Sequence, residues 1–196
     1  MKGRSEGALF HERSRKLART AVRRTEVFLS KPYKIAQSVL VVIYTPALDV
    51  LLIRRADTPD AVFWQSVTGS KDALTHSFAA TAMREVQEET GIDCSAASPL
   101  HAGLQDWQLE NRYNIYARWL HRYAPGTLYN TERVFGLCVP AGTAVTLSPR
   151  EHTHYQWLPY LEAAEQCFSP SNAEAILLLP HFAALQTPAQ ARGLAA

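Results

Sequence analysis

Ser38-Val39-Leu40-Val41-Val42-Ile43-Tyr44 limits the folds open to this chain. The run is uncharged, rich in β-branched side chains and lacks polar alternation, the pattern of a strand buried on both faces. Pro46 ends it, and Val50-Leu51-Leu52-Ile53 makes a second strand that closes on Arg54-Arg55. Phe63 to Gly69 reads as a short third strand. Leu104 to Trp107 and Tyr113 to Leu120 read as two strands turning at Glu110-Asn111. Val134 to Val139 is another buried strand, and Val145 to Leu147 a short one. Two helices accompany them. One follows Ser77; the other runs from Ser169 to Phe182, capped by Ser171 or Asn172. The predicted class is α/β, a mixed β-sheet between helices.

The helix from Ser77 to Ile92 carries the chemistry. Ser77 is a suitable N-cap, Ala79, Ala80, Ala82 and Met83 favour helix, and Gly91 suits the left-handed residue after the last turn. Ala79, Ala82, Met83 and Val86 form an apolar side. Glu85, Glu88 and Glu89 stand at i, i+3 and i+4 and share an acidic face. Three like charges repel one another, and the neighbouring Arg84 does not balance them. Hard divalent cations take such oxygen ligands together with substrate phosphates. A solvated acidic face is the plain alternative.

The stretch from Gly69 to Ile92 resembles the Nudix box, G-x5-E-x7-R-E-U-x-E-E-x-G-U with U a bulky apolar residue, the signature of the Nudix hydrolases. Arg84, Glu85, Val86, Glu88, Glu89, Gly91 and Ile92 complete its second half. Gly69 opens the first half, but the interval to Arg84 is one residue longer, and Thr75 or His76 takes the first glutamate's place. The resemblance implies a Nudix α/β/α sandwich and magnesium, with manganese as an alternative. Outside the box, Phe63 to Ser70, His121 to Gly126, Asn130-Thr131-Glu132, Glu151-His152 with Trp157, and Ser171-Asn172 are similar to a branch that hydrolyses a pterin triphosphate.

That resemblance assigns roles. Glu85 and Glu89 are the first metal ligands, and Glu151 matches the family's additional carboxylate. Glu88 is a third helix ligand, directly or through water. The general base is Glu88 or Glu151, and Arg84 orients the acids. Lys34 and Arg54 match phosphate-binding positions. Trp64, Thr68, Tyr113, Tyr116 and Ser169 match positions that hold the heterocycle. His121, His152 and His154 are read as structural. The implied partner is a small-molecule triphosphate. Rival readings are a nucleoside triphosphate or oxidised-nucleotide diphosphatase, and an inactive fold that binds nucleotide or RNA.

Composition sets the remaining bounds. A net charge of +2 demands neither nucleic acid nor membrane, and no apolar run approaches the ~20 residues of a spanning helix. The widely spaced Cys94, Cys138 and Cys167 suit free thiols in a reducing, cytoplasmic setting. Residues 1–33 read as a basic extension, disordered or loosely helical; 34–185 as the domain; and 186–196 as a tail. Oligomeric state is left open.

Overall fold

The computed structural model describes residues 33–58 and 62–190, with side chains to residue 185. The expectations for residues 1–32 and 191–196 lie outside them. Strands β1 (Gln37–Tyr44), β2 (Asp49–Arg55), β3 (Trp64–Gln65) and β4 (Val67–Ser70) precede helix α1 (Phe78–Thr90). Strands β5 (Leu104–Asn114), β6 (Tyr129–Cys138) and β7 (His152–Pro159) follow, then helices α2 (Tyr160–Gln166), α3 (Pro170–Leu177) and α4 (Leu179–Gln190).

The apolar run predicted as a doubly buried strand is β1, the centre of a mixed sheet. It pairs in parallel with β6 from Gln37 opposite Thr131 to Tyr44 opposite Cys138. Its other side pairs antiparallel with β4 and, at Tyr44, with β2. Strand β5 lies outside β6, while β3 and β7 join β2. Successive strand side chains point to opposite faces. Val39, Val41 and Ile43 therefore pack with Ala82 and Val86 of α1, whereas Leu40, Val42 and Tyr44 pack with Ala163, Ala175 and Ile176 of α2 and α3. The result is the expected sheet between two helical layers.

Several local expectations change. Glu110 and Asn111 do not turn the chain, because β5 runs unbroken through them. A register shift between Asp106 and Leu109, with Gln108 at φ 58°, bends the strand without reversing it. Residues 117–122 form a 3-10 helix rather than a strand. Val145 to Leu147 has no strand pairing, although Thr146 N donates to the Thr90 carbonyl at 2.8 Å. On α1, Ala79 is exposed while Thr81 and Thr90 are buried. The C-terminal helix is two helices, and α2 precedes them unanticipated. Ser169, not Ser171 or Asn172, holds the N-cap position of α3, with Pro170 beside it in the first turn.

Asn172 is free to do something else. Its Oδ1 accepts from Ser66 N at 2.7 Å and its Nδ2 donates to Ser66 Oγ at 2.9 Å. This buried pair joins α3 to the break between β3 and β4. Asn172→Ala strands two polar groups at a cost of roughly 2–3 kcal/mol. We expect the melting temperature to fall by about 5 °C or more, measured by circular dichroism.

Candidate active site

Helix α1 is fixed at both ends by the residues read from sequence. Ser77 Oγ accepts from Ala80 N at 3.0 Å, and Gly91, at φ 71°, donates its N–H to the Gln87 carbonyl. Between these caps the three acids differ. Glu85 and Glu89 are 8% and 5% exposed, so the acidic face is largely buried and only Glu88 stands in solvent. Burial occurs because α1 lies against β4. Thr68 N donates to Glu89 Oε2 at 3.2 Å. Gly69 leaves the room that the Glu85 carboxylate occupies, since a Cβ there would overlap Glu85 Cδ and Oε1.

Arg84 ties the acids to the loop before them. It pairs with Glu85 at 2.8 Å, Glu88 at 2.7 Å and Asp72 at 2.8 Å, and donates to the Ser70 carbonyl. From the far side of the sheet's loops, Glu151 and His152 reach the same place, their backbone held by the bond from Ala56 N to the Glu151 carbonyl. Ligand atoms of Glu89, Glu151 and His152 lie within 4.8 Å of one another. His152 is 2% exposed, neither ring nitrogen has a hydrogen-bond partner, and its Nε2 stands 3.9 Å from Glu89.

Burial decides the protonation states. It pushes Glu85 up to about 7, against the pull of Arg84, and Glu89 well above the usual carboxylate range, with Glu85 adding repulsion. Burial, then Arg55, lowers His152 to about 4, so it is a neutral ring. Glu89, buried beside Glu85 and with Glu151 and the neutral ring of His152 in reach, fits a divalent cation.

A pH dependence follows. In the unfolded chain the acids titrate near 4.5, whereas in the fold Glu85 holds its proton to about 7. The folded protein thus binds more protons between these values, and this contribution to stability is lost as pH rises through 7. His152 opposes it below 6.5, where the unfolded ring binds a proton that the folded one refuses. A cation needs the ionised acids. Added magnesium should therefore raise the melting temperature more at about pH 8.5 than at about pH 5.5. An increment independent of pH would contradict this.

The acids line a cavity of about 870 Å³. Lys34, Arg55 and Arg122 also line it. Lys34 has its pKa lowered by burial and by Arg122. Arg55 is pinned by both oxygens of Asp57, at 2.7 and 2.6 Å. Tyr113, Asn130, Glu132 and Ser171 also line the cavity and form a hydrogen-bonded polar group. Asn130 Nδ2 donates to Ser38 Oγ at 2.6 Å and to the Tyr113 hydroxyl at 3.0 Å.

The cavity gathers Lys34, Thr68, Arg84, Glu85, Glu88, Glu89, Tyr113, Tyr116, Glu151 and Ser169 from the sequence expectations. Arg54 and Trp64 do not line it. They pair with each other across β2 and β3, and Trp64 packs into the α2–α3 core. Arg55, not Arg54, lines the cavity. Strand parity carried the signal, since Leu51 and Ile53 face α1 and Arg55 continues their series. His152, Asn130 and Glu132 were not singled out as site residues. Alternation along β6 was the available clue for Asn130 and Glu132, which share the buried face with Val134 while Thr131 and Arg133 face the other way.

Comparison with known proteins identifies the family and the fold. The NUDIX domain model matches residues 34–179. Dihydroneopterin triphosphate diphosphatase of Escherichia coli K12 is 42% identical over 147 residues, 74% of this chain and 93% of that protein. The protein of that name from Haemophilus influenzae is 38% identical over 150 residues, 76% of this chain and 90% of its own. The solved structure of the E. coli dihydroneopterin triphosphate pyrophosphohydrolase superposes with a TM-score of 0.65 at 41% identity, covering 74% of this chain and 95% of that one.

Proposed function

This chain belongs to the NUDIX domain family, and from that premise we propose that it hydrolyses dihydroneopterin triphosphate to the monophosphate and pyrophosphate. The observation that carries the reading is that one cavity is lined by the carboxylate cluster, by Lys34, Arg55 and Arg122, and by the polar group of Tyr113, Asn130, Glu132 and Ser171. The curated relatives that carry this activity in their names support the same substrate.

Glu85, Glu89 and Glu151 would hold magnesium, or manganese in its place, with Glu88 at the solvent edge. Bound there, the cation supplies charge neutralisation of the polyphosphate and a more acidic attacking water. The chain's own groups do the rest. Lys34, Arg55 and Arg122 offer charge-assisted hydrogen bonds to phosphate oxygens. Arg84 holds Glu85 and Glu88 in position. Glu88 is engaged by Arg84, whereas the Glu151 carboxylate has no hydrogen bond or ion pair among the described residues. Glu151 is thus the better-placed proton acceptor. Thr68, Tyr113, Tyr116 and Ser169 contact the heterocycle. The free thiols Cys94, Cys138 and Cys167 suit work in the cytoplasm.

The test compares pyrophosphate release from dihydroneopterin triphosphate, dATP and 8-oxo-dGTP, with and without magnesium. The pterin should give the highest kcat/KM, and only with the cation. A nucleotide favoured about tenfold or more, ~1.4 kcal/mol in transition-state binding, would overturn the substrate.

A further inference from the structure

His152 is a buried ring with no assigned partner. It is 2% exposed, and neither ring nitrogen has a hydrogen bond among the described residues. An unpartnered polar side chain at that depth is costly, and an apolar one would pack there more stably. The backbone nevertheless aims it inward. Strand β7 sets Trp157 opposite Leu51, Tyr155 opposite Ile53 and His154 opposite Arg54. Unbroken alternation would then set Thr153 opposite Arg55 and turn His152 to the other face. Instead the register shifts, Thr153 is left over, and His152 stands opposite Arg55. A bulge of this kind re-aims a side chain, and both residues line the cavity. There His152 Nε2 stands 3.9 Å from Glu89 Oε1, beyond hydrogen-bond length. Glu89 Oε2 accepts from Thr68 N, which leaves Oε1 to face the ring. Glu151 brings a third ligand atom within 4.8 Å of both residues.

On the reading of these acids as a cation site, we propose that His152 Nε2 is a further ligand of the divalent cation at Glu89 and Glu151, one nitrogen beside the carboxylate oxygens. Two ligands each about 2.1 Å from one ion stand about 3 Å apart when adjacent and about 4.2 Å apart when opposite. The 3.9 Å between Nε2 and Oε1 lies inside that range, too long for a direct bond and suited to a shared ion. Coordination at Nε2 leaves the ring proton on Nδ1. Magnesium favours oxygen ligands, whereas imidazole suits the later transition metals. The ring therefore adds affinity for a transition-metal dication such as cobalt and little for magnesium.

Two measurements on the full chain without substrate test this, and neither depends on which triphosphate is cleaved. The first leaves the protein unmutated. Manganese is added to chain with ordinary histidine or with histidine labelled in heavy nitrogen, and pulsed electron paramagnetic resonance records the nitrogen coupling. We expect a coupling strong enough for direct coordination that changes with the label. Among the described histidines only His152 lines the cavity. Manganese bound without such a coupling overturns the assignment to His152 and leaves the carboxylate site standing. Manganese that fails to bind overturns both. The second measurement uses His152→Phe, which keeps a ring and removes both nitrogens. By titration calorimetry cobalt should bind about tenfold or more weaker than to wild type, and magnesium within about threefold. An equal loss for the two ions would overturn the proposal, because a merely structural role lowers both together. If the variant does not fold, the histidine coupling in the wild type decides alone.

Discussion

Glu89→Gln should lower kcat/KM by about 10³-fold, roughly 4 kcal/mol of transition-state stabilisation, while leaving the metal-free fold intact. The variant keeps the shape of the side chain and an oxygen to accept from Thr68 N. What it removes is a buried negative charge. Sequence placed Glu89 on an open acidic face, where such a change would be neutral to stability. The structure makes it 5% exposed, and burial with repulsion from Glu85 raises its pKa strongly. Ionising it without a cation is costly, so the neutral amide should raise the metal-free melting temperature at about pH 8 by roughly 2–4 °C. Magnesium should then stabilise wild type but not the variant. Wild-type turnover in the variant would remove Glu89 from the site, and a large drop in melting temperature would mean that its charge is satisfied within the protein.

Gly69→Ala should separate activity from folding in the opposite way. Its Cβ would overlap the Glu85 carboxylate, which Arg84 holds from the other side. The side chain must swing away, and the site loses a cation ligand. We expect kcat to fall by about 10²-fold or more, with a stability loss of only about 1 kcal/mol, because the displaced atoms end a flexible side chain. Activity within about threefold of wild type would show that the Glu85 position does not matter. This also gives a physical reason for a glycine at the start of the box. It is needed for the acid sixteen residues on, rather than for a positive φ.

The sequence spoke clearly where one local rule governs. The apolar run of β1, the Ser77 cap and the Gly91 terminus each depend on a few adjacent residues, and each is found as expected. The segment 71–77, inside the lengthened first half of the box, is turns and bends, and α1 still starts from its Ser77 cap. Long-range decisions were harder to read. Asn172 looks like a helix cap until Ser66, 106 residues away, claims its amide. Glu110-Asn111 looks like a turn until pairing with β6 carries β5 through it. Arg54 and Arg55 are chemically equal, and only the face that β1 and α1 impose on β2 separates them. Burial of Glu85 and Glu89 is likewise a property of β4 packing on α1, which helical spacing alone does not contain.

The central claim is that the buried acids of α1 are held together for a divalent cation. Crystals grown with manganese and a non-hydrolysable triphosphate, measured at the manganese absorption edge, test it most directly. The account predicts an anomalous peak bounded by Glu85, Glu89 and Glu151. A well-ordered triphosphate with no peak there, or manganese bound elsewhere while these acids remain protonated and empty-handed, would contradict it.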